Sequence, residues 1–527
     1  MSVAFDAVVI GGGANGLVAA ARLARAGRRV VLVEASDAHG GQGRALEFAP
    51  GFRAAPLGAD PGWLPPRIAS TLGLSGLETV AADTPLSVVA GDRAFLTLSR
   101  DPARASAAIA AHSKTDAAMW PEFTAQLRKL AGFLEVLYQA PAPDVDVNSL
   151  RDFLPLLSLG RRFRALGPRD MVAFLRILPL SVRDHLDDTF ESGSLKAAVA
   201  TGGIQDLQQG PRSGGTGFVL LHHLVGAPRG SVRGRVPLRG GPEAFTRAAV
   251  DAAKRLGVTL RSRARVLRVE VRDDAVAGVV LEGGEEIAAR AVLSTADPAP
   301  TLLEWVDPIW LDPEFVHAIR NIRHRGCTAF VLYALDALPE VPGLAQDALA
   351  GTVSLTPDLV ALERAADATK YGGVAERPHV EITAPTLLWP DLAPPGKHVL
   401  VARVHYAPYR LSHGALWDAS RVDALAQTAT SAIEAIAPGF GSRVLHRAAL
   451  SPRDLETRFG LCEGAATQGE LALDQILFMR PVAGWSRHTT PVDGLILGGA
   501  GTHPGSGVLG GAGWLAADRV IRNFKIS

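Results

Sequence analysis

The sequence predicts an α/β fold built around a parallel sheet, and three observations carry that reading. Near the N-terminus a short apolar run is followed by a glycine turn, a helix, a second apolar run and an acid. Near the C-terminus a second strand feeds a glycine-rich loop that opens another helix. Between them, a helix over Glu243 to Leu256 precedes strand-like runs with glycine or aspartate turn pairs, which reads as a β-meander. Together they describe a Rossmann-like, three-layer dinucleotide-binding domain with a central parallel sheet and a meander. The remaining segments predict a discontinuous α+β substrate domain. The expected boundaries are 1–75, 235–300 and 455–527 for the first domain, and 76–234 with 301–454 for the second.

The first element is Asp6 to Ile10, an apolar, β-branched strand. Gly11, Gly13 and Gly16 follow with the spacing of a phosphate-binding turn. Gly11 permits the tight turn, Gly13 admits a pyrophosphate to the backbone, and Gly16 lets the helix pack close. The helix start, with Ala14 and Asn15, offers free N–H groups and a positive dipole end to phosphates. A second strand, Arg29 to Val33, ends in Glu34 and Ala35. Glu34 lies 18 residues after Gly16 and can accept from ribose hydroxyls, while its charge disfavours a 2′-phosphate. The turn itself does not separate FAD from NAD. Gly40-Gly41 then brings the backbone close to the same ligand.

Ser113 is expected to cap a helix reaching Gln139, with Pro141 and Pro143 ending it and Asp144 to Asn148 forming a connector. Leu150 to Ala200 reads as helical with glycine and proline punctuation. Phe218 to Val225 is an apolar run holding His222 and His223, and His223 is a candidate proton shuttle. Strands are expected at 258–263 with 266–271, 275–281, 286–294, 328–333, 379–383 and 399–406, and a helix at 421–437. The C-terminal glycine-rich loop opens a helix whose N–H groups would point at a polar cofactor part, and His503 is a second catalytic candidate.

Composition narrows the function. The chain has 527 residues, 54 Lys+Arg against 53 Asp+Glu, and a net charge of +1, so no basic surplus suits nucleic acid. With 47% hydrophobic and 20% charged residues it is not a disordered acidic chain. Cys327 and Cys462 are too few for a disulfide framework or a thiolate zinc site, and no metal is expected. The uncharged stretch 494–517 is long enough for a membrane span but too rich in glycine for a lipid-facing helix. No signal-peptide pattern is visible, which suggests a cytoplasmic protein, with peripheral membrane contact and homo-oligomerisation left open.

The N-terminal segment DAVVIGGGANGLVAAARLARAGRRVVLVEASDAHGG, Phe218 to Val225, and the C-terminal run from Gly469-Glu470 through Thr502-His503-Pro504 resemble the phytoene desaturase-type FAD-dependent oxidoreductases. Within them, the similarity is greatest to the branch named after pyridine nucleotide-disulfide oxidoreductase domain-containing protein 2. The resemblance implies non-covalent FAD and hydride transfer from a substrate C–H bond. It also implies backbone contact of Val266 with the adenine, Gly501, Gly505, Gly507 and Val508 in the loop at the flavin end, and Asp474 or Arg480 as its neighbours. It favours an apolar polyene or isoprenoid substrate, with oxygen or a quinone as electron acceptor. An amine or amino-acid-like oxidase, a redox-neutral isomerase and a binding protein without turnover are the alternatives. An arginine anchor with aromatic walls would favour the first of these, and an apolar tunnel the polyene. The sequence departs from the family at Gln468, where histidine is usual, and at Glu463 and Ser506, where glycine is usual.

Overall fold

The computed structural model describes residues 5–74, 76–80, 82–91, 94–143, 150–228, 230–233 and 237–523. The connector expected at Asp144 to Asn148 lies outside them.

Strand Phe5–Ile10 lies between Val30–Val33 and Glu286–Ser294, and all three run parallel. Thr259–Arg261 extends the sheet beyond Val30–Val33, and Leu495–Leu497 extends it beyond Glu286–Ser294. Side chains alternate between the two faces of a strand, and here both faces are covered. Ala7 and Val9 pack on one side with Leu17, Leu23, Phe245 and Trp514. Val8 and Ile10 pack on the other with Val279, Leu281 and Leu497. That double burial is why the run is apolar at every position from Ala7 to Ile10 instead of alternating. Helices Ala14–Arg25, Ala244–Arg255 and Gly511–Asn523 contribute to the first layer. The meander Val266–Arg272 with Ala275–Leu281 contributes to the opposite one. Strand Glu286–Ser294 serves both. Its first residues pair antiparallel with the meander, and its last pair parallel with Leu495–Leu497. The α/β class and the three-layer arrangement are as the sequence predicts.

A second, mixed sheet has the order Val444–Leu450, Thr328–Leu335, His398–His405, His379–Thr383, Thr352–Ser354, Leu86–Val89, Phe95–Leu98. The sequence reading found three adjacent strands of it, those at 328–335, 398–405 and 379–383. It missed the rest because short apolar runs such as LSVV, FLTL and TVS have no period long enough to distinguish strand from helix. One face packs on helix Ala419–Ile436 through Val331, Val380, Ile382, Val404, Leu425 and Ile433. The other face carries Glu381, Thr383, Val401 and Arg403, all of which line a cavity.

Helices fill the remaining side. Ser113 caps Lys114–Tyr138, accepting from the Asp116 amide at 3.1 Å. The Asp116 carboxylate does not return to the cap. It is buried and accepts from the amides of Glu191 and Ser192 at 2.9 and 2.8 Å, tying two helical segments together. The run with the two histidines is a helix, Thr216–His223, buried along most of its length. No helix among the described residues is long and apolar enough to cross a membrane.

Candidate active site and cofactor cradle

The N-terminal turn forms a cradle because glycine is required where backbones touch. A Cβ at Gly16 would lie 1.8 Å from the Gly11 carbonyl oxygen, so the helix seats on the turn only without one. Gly11 itself has φ +99°. Gly13 is the N-cap and supplies no side-chain acceptor, which leaves the first-turn N–H groups facing outward for an anion. Across from it, a Cβ at Gly41 would come within 3.2 Å of the Gly13 Cα. Glu34 stands at the end of its strand and accepts from the Gly12 amide at 2.6 Å and from Ser36 N at 2.8 Å. Ala35 lies between these two in sequence. Val266 begins the meander just beyond Arg263 and Ala264, whose amides bond to the carbonyls of Ser36 and Glu34 at 2.8 Å. The structure therefore gathers Gly11, Gly13, Ala14, Asn15, Gly16, Glu34, Gly41 and the start of the meander into one neighbourhood.

The C-terminal loop closes on the same place. Asn15 Oδ1 accepts from Gly513 N at 3.2 Å, and a Cβ at Gly513 would lie 1.9 Å from the Asn15 carbonyl oxygen. Gln468 accepts from Gly501 N at 2.8 Å and donates to the Thr295 carbonyl at 3.2 Å. It is thus a strut between this loop and the end of strand Glu286–Ser294. A Cβ at Gly501 would meet Pro298 at 2.4 Å, so that glycine serves packing. Gly507 lines the cavity, and Gly505 lies beside it with φ +102°. Val508 forms an isolated bridge with Trp63. Arg480 is fully buried and donates to the carbonyls of Gln475, Gln468 and Gly469, at 3.1, 2.9 and 2.9 Å, and to that of Thr467. It shapes the 467–475 loop. Asp474 lies outside that core and pairs with Arg323.

His503 is not among the cavity-lining residues. Its Nε2 donates to the Ala140 carbonyl at 3.1 Å, with the Leu137 carbonyl at 3.3 Å, which pins the loop to the end of helix Lys114–Tyr138. We expect His503→Ala to lower Tm by the equivalent of roughly 1 kcal/mol, because it removes the side chain that ties the loop to these two carbonyls, with flavin content preserved. Thermal unfolding followed by flavin release checks this, and an unchanged Tm would refute the pinning role.

The cavity between the two sheets holds about 200 Å³ of free space. One wall comes from the cofactor loops, with Gln42, Gly62, Ser506 and Gly507, and the other from the second sheet, with Phe330, Glu381, Val401 and Arg403. Helix Thr216–His223 supplies His222 and His223, Trp389 closes a side, and Asp206 and Arg233 complete the lining. The sheet register explains the cluster. Arg403 pairs with Glu381 on one neighbour and with Phe330 on the other, and the next row pairs His405 with His379 and Thr328. Side chains two residues apart share a face, so both rows turn the same way. Arg233 bonds to Glu381 at 3.0 Å and to Thr201 at 2.8 Å, and Arg403 pairs with Asp206. The lining therefore carries charges that an apolar tunnel for a polyene would lack. Strand positions 381 and 403, apolar in a purely structural sheet, are charged. That pair of charges inside apolar runs was the available signal, and it was missed.

Burial and charge oppose each other here. Burial alone would raise the Asp206 carboxyl, but Arg403 and the neighbouring histidines hold it below the usual range. Glu381 behaves alike, with Arg233 and His379 outweighing burial. Burial drives His223 down to about 4 against the attraction of Asp206, and drives His405 to about 3. His222 is pushed well below 6.5 by burial and then by His223 and Arg480. Its Nδ1 lies 2.8 Å from the Tyr138 hydroxyl. Its Nε2 reaches toward the Ser506 backbone without closing a hydrogen bond. Arg403 Nε, His405 Nε2 and the Ser506 hydroxyl are buried without a partner among the described residues. Such donors and acceptors are costly unless a ligand meets them.

His503 also falls to about 4 through burial. A histidine held neutral in the fold binds fewer protons than in the unfolded chain, so its contribution is complete above pH 6.5 and is lost between there and about 4. Tm is expected to fall steadily from pH 7 to pH 4.5. A flat profile across that range, by scanning calorimetry, would contradict the buried neutral histidines.

A dinucleotide cradle at both chain ends, opening on a cavity with unpaired polar atoms, defines a flavin-dependent redox enzyme more closely than any single motif. The pattern of the flavin-containing amine oxidoreductases matches residues 15–521, and the chain belongs to that family. It is an FAD-dependent oxidoreductase. Among curated proteins, it is 34% identical to rat (Rattus norvegicus) pyridine nucleotide-disulfide oxidoreductase domain-containing protein 2, covering 99% of this chain and 94% of the relative. It is 28% identical to phytoene dehydrogenase of Streptomyces griseus over 74% of this chain and 71% of that one. Among solved structures, putrescine oxidase bound to putrescine shares the fold at TM-score 0.60 and 16% identity, with 98% of each chain covered.

The residues fit FAD. The Gly13–Gly41 approach leaves room that a side chain would fill, and the uncapped helix start faces it. Gly11 to Gly16 would hold the pyrophosphate, Glu34 the ribose, the start of the meander the adenine, and residues 505–508 the flavin end. Neither Cys327 nor Cys462 lines the cavity.

Proposed function

We propose that this enzyme oxidises a small polar substrate, an amine or amino-acid-like compound, at a C–H bond held in the cavity, with FAD bound non-covalently. One observation carries the reading: the row Glu381–Arg403 with Arg233 and Asp206 puts two guanidiniums and two carboxylates on the cavity lining. A polyene offers these groups nothing, and covering them with hydrocarbon would cost more than it returns. Phe330 and Trp389 add aromatic walls. The solved neighbour named for putrescine supports an amine as the class. Relatives named for phytoene favour the polyene, and the charged lining weighs against carrying that over.

When bound, FAD supplies a two-electron acceptor for the C–H bond, which oxygen or a quinone can regenerate. The chain's own groups do the rest. Arg403 and Arg233 orient an anionic or carbonyl group of the substrate, and Glu381 faces a cationic one. His222 and His223 are neutral at pH 7, so each has one ring nitrogen able to accept a proton. Phe330 and Trp389 exclude water. An anaerobic screen of flavin bleaching against amines, amino acids, hydroxy acids and polyenes tests this. Bleaching by a polyene and by no polar compound would overturn it.

A further inference from the structure

A second concavity, separate from the cavity, lies on the opposite side of the loop that carries Asp206. Gln205 and Asp206 line the cavity, whereas Gln208 lines this groove. It encloses about 570 Å³, a size that suits a bound small molecule. Its charge is one-sided. Arg320, Arg323, Arg325, Lys370 and Arg410 line it, with Glu463 as the single carboxylate. Four of these five cations are matched by carboxylates, so the net excess rests on Arg320. Three of the cations have partners whose carboxylates lie outside the lining. Arg323 pairs with Asp474, Lys370 with Asp367 at 2.6 Å, and Arg325 with Glu470 at the long distance of 3.7 Å. Arg410 pairs with Glu463 itself. Arg320 makes no ion pair among the described residues.

Two features point to more than a solvated basic face. Four of the five cations are arginines, whose planar forks match phosphate oxygens two at a time. At the rim stands Tyr371, 82% exposed and lining the same groove. An aromatic ring so exposed buries no core surface, and its face is free to stack on a base. We propose that this groove binds a nucleoside diphosphate-type group, with the diphosphate among Arg320, Arg323 and Arg410 and the base on Tyr371. Such a group could belong to a free nucleotide or to a larger molecule that carries one. The assignment rests on the groove alone and does not depend on the substrate reading above.

The test uses FAD-loaded protein, because ADP is also a piece of FAD, and follows ADP, pyrophosphate and AMP by calorimetry while flavin absorbance is recorded. ADP is expected to bind below about 1 mM and more tightly than either AMP or pyrophosphate, with flavin absorbance constant. Arg320→Glu should weaken ADP and pyrophosphate alike by about tenfold. Tyr371→Ala should weaken ADP about fivefold and leave pyrophosphate within about twofold. Both residues are exposed, so both variants should fold, and unchanged Tm and flavin content verify that. No saturable binding, flavin release on titration, equal affinity for ADP and pyrophosphate, or an unchanged ADP affinity in either variant overturns the proposal.

Discussion

Gly13→Trp is expected to give a folded protein without colour. The backbone of Gly13 faces Gly41 across a gap in which a Cβ at Gly13 would still lie 3.8 Å from the Gly41 Cα. A small side chain would therefore fit without forcing the turn apart, and a large one fills the space itself. The indole occupies the room needed by a pyrophosphate and blocks the uncapped helix start, so the N–H groups there lose their anion. The contrast is Gly16, where even a methyl group would collide with the Gly11 carbonyl at 1.8 Å and disrupt the fold. Flavin content of the purified Gly13→Trp protein should fall below about a tenth of the wild-type value, a loss of at least ~1.4 kcal/mol in FAD binding. Circular dichroism should be unchanged, and Tm should drop only by what FAD binding contributes. A yellow variant with normal occupancy would remove Gly13 from the cofactor site.

The second large effect is expected at Arg403. Arg403→Met leaves Asp206, its side chain 17% exposed, without its main counter-charge. Removing one member of a fully buried pair costs about 3–5 kcal/mol, because the remaining charge must be desolvated alone, and the partial exposure here places the cost at the lower end of that range. The Asp206 carboxyl, now held low, should then move up as burial dominates. Its stabilising contribution with Arg403 present is complete above the ordinary carboxylate range and is lost as pH falls through the lowered value. In the variant that acid-side loss should disappear, and the protein should instead gain stability as pH drops and Asp206 takes a proton. Asp206→Asn combined with Arg403→Met should recover most of the Tm, since neither charge remains. It should not recover turnover. With any substrate that bleaches the flavin, both variants should react about a hundredfold more slowly or worse, because the orienting guanidinium is absent from each. Recovery of rate alongside stability would make Arg403 a structural residue and remove the anchor from the proposed function.

Much of the cofactor half was legible because its constraints are local. Gly11, Gly13 and Gly16 fall in a single turn, where Gly16 answers to the Gly11 carbonyl, and Glu34 follows one strand later. The departures from the family carry information too. Glu463, where the resemblance implies glycine, takes φ +50°, a conformation glycine adopts without strain. Gln468 also has a positive φ and links Gly501 to Thr295. The candidate catalytic residues were less legible. His503 and His223 stood out as titratable groups in apolar surroundings, but a sequence does not state what lies opposite a side chain. The Ala140 carbonyl that meets His503 is 363 residues away.

By itself the sequence determined the α/β class, the two glycine loops, the acid at the end of the second strand and the membership in a flavoprotein family. These depend on period, on backbone freedom and on residues near one another in the chain. Only the tertiary structure decided what the cavity is made of. Arg403, Glu381, Asp206 and Arg233 come from four separated segments; strand register with sheet-face alternation turns Arg403 and Glu381 onto one surface, and ion pairs bring Asp206 and Arg233 from outside the sheet to meet them. Registers of that kind are set by packing across the sheet, where Val404 and Ile382 must face the helix behind. The charged side chains take the opposite face as a consequence, and with them the cavity acquires its polar character.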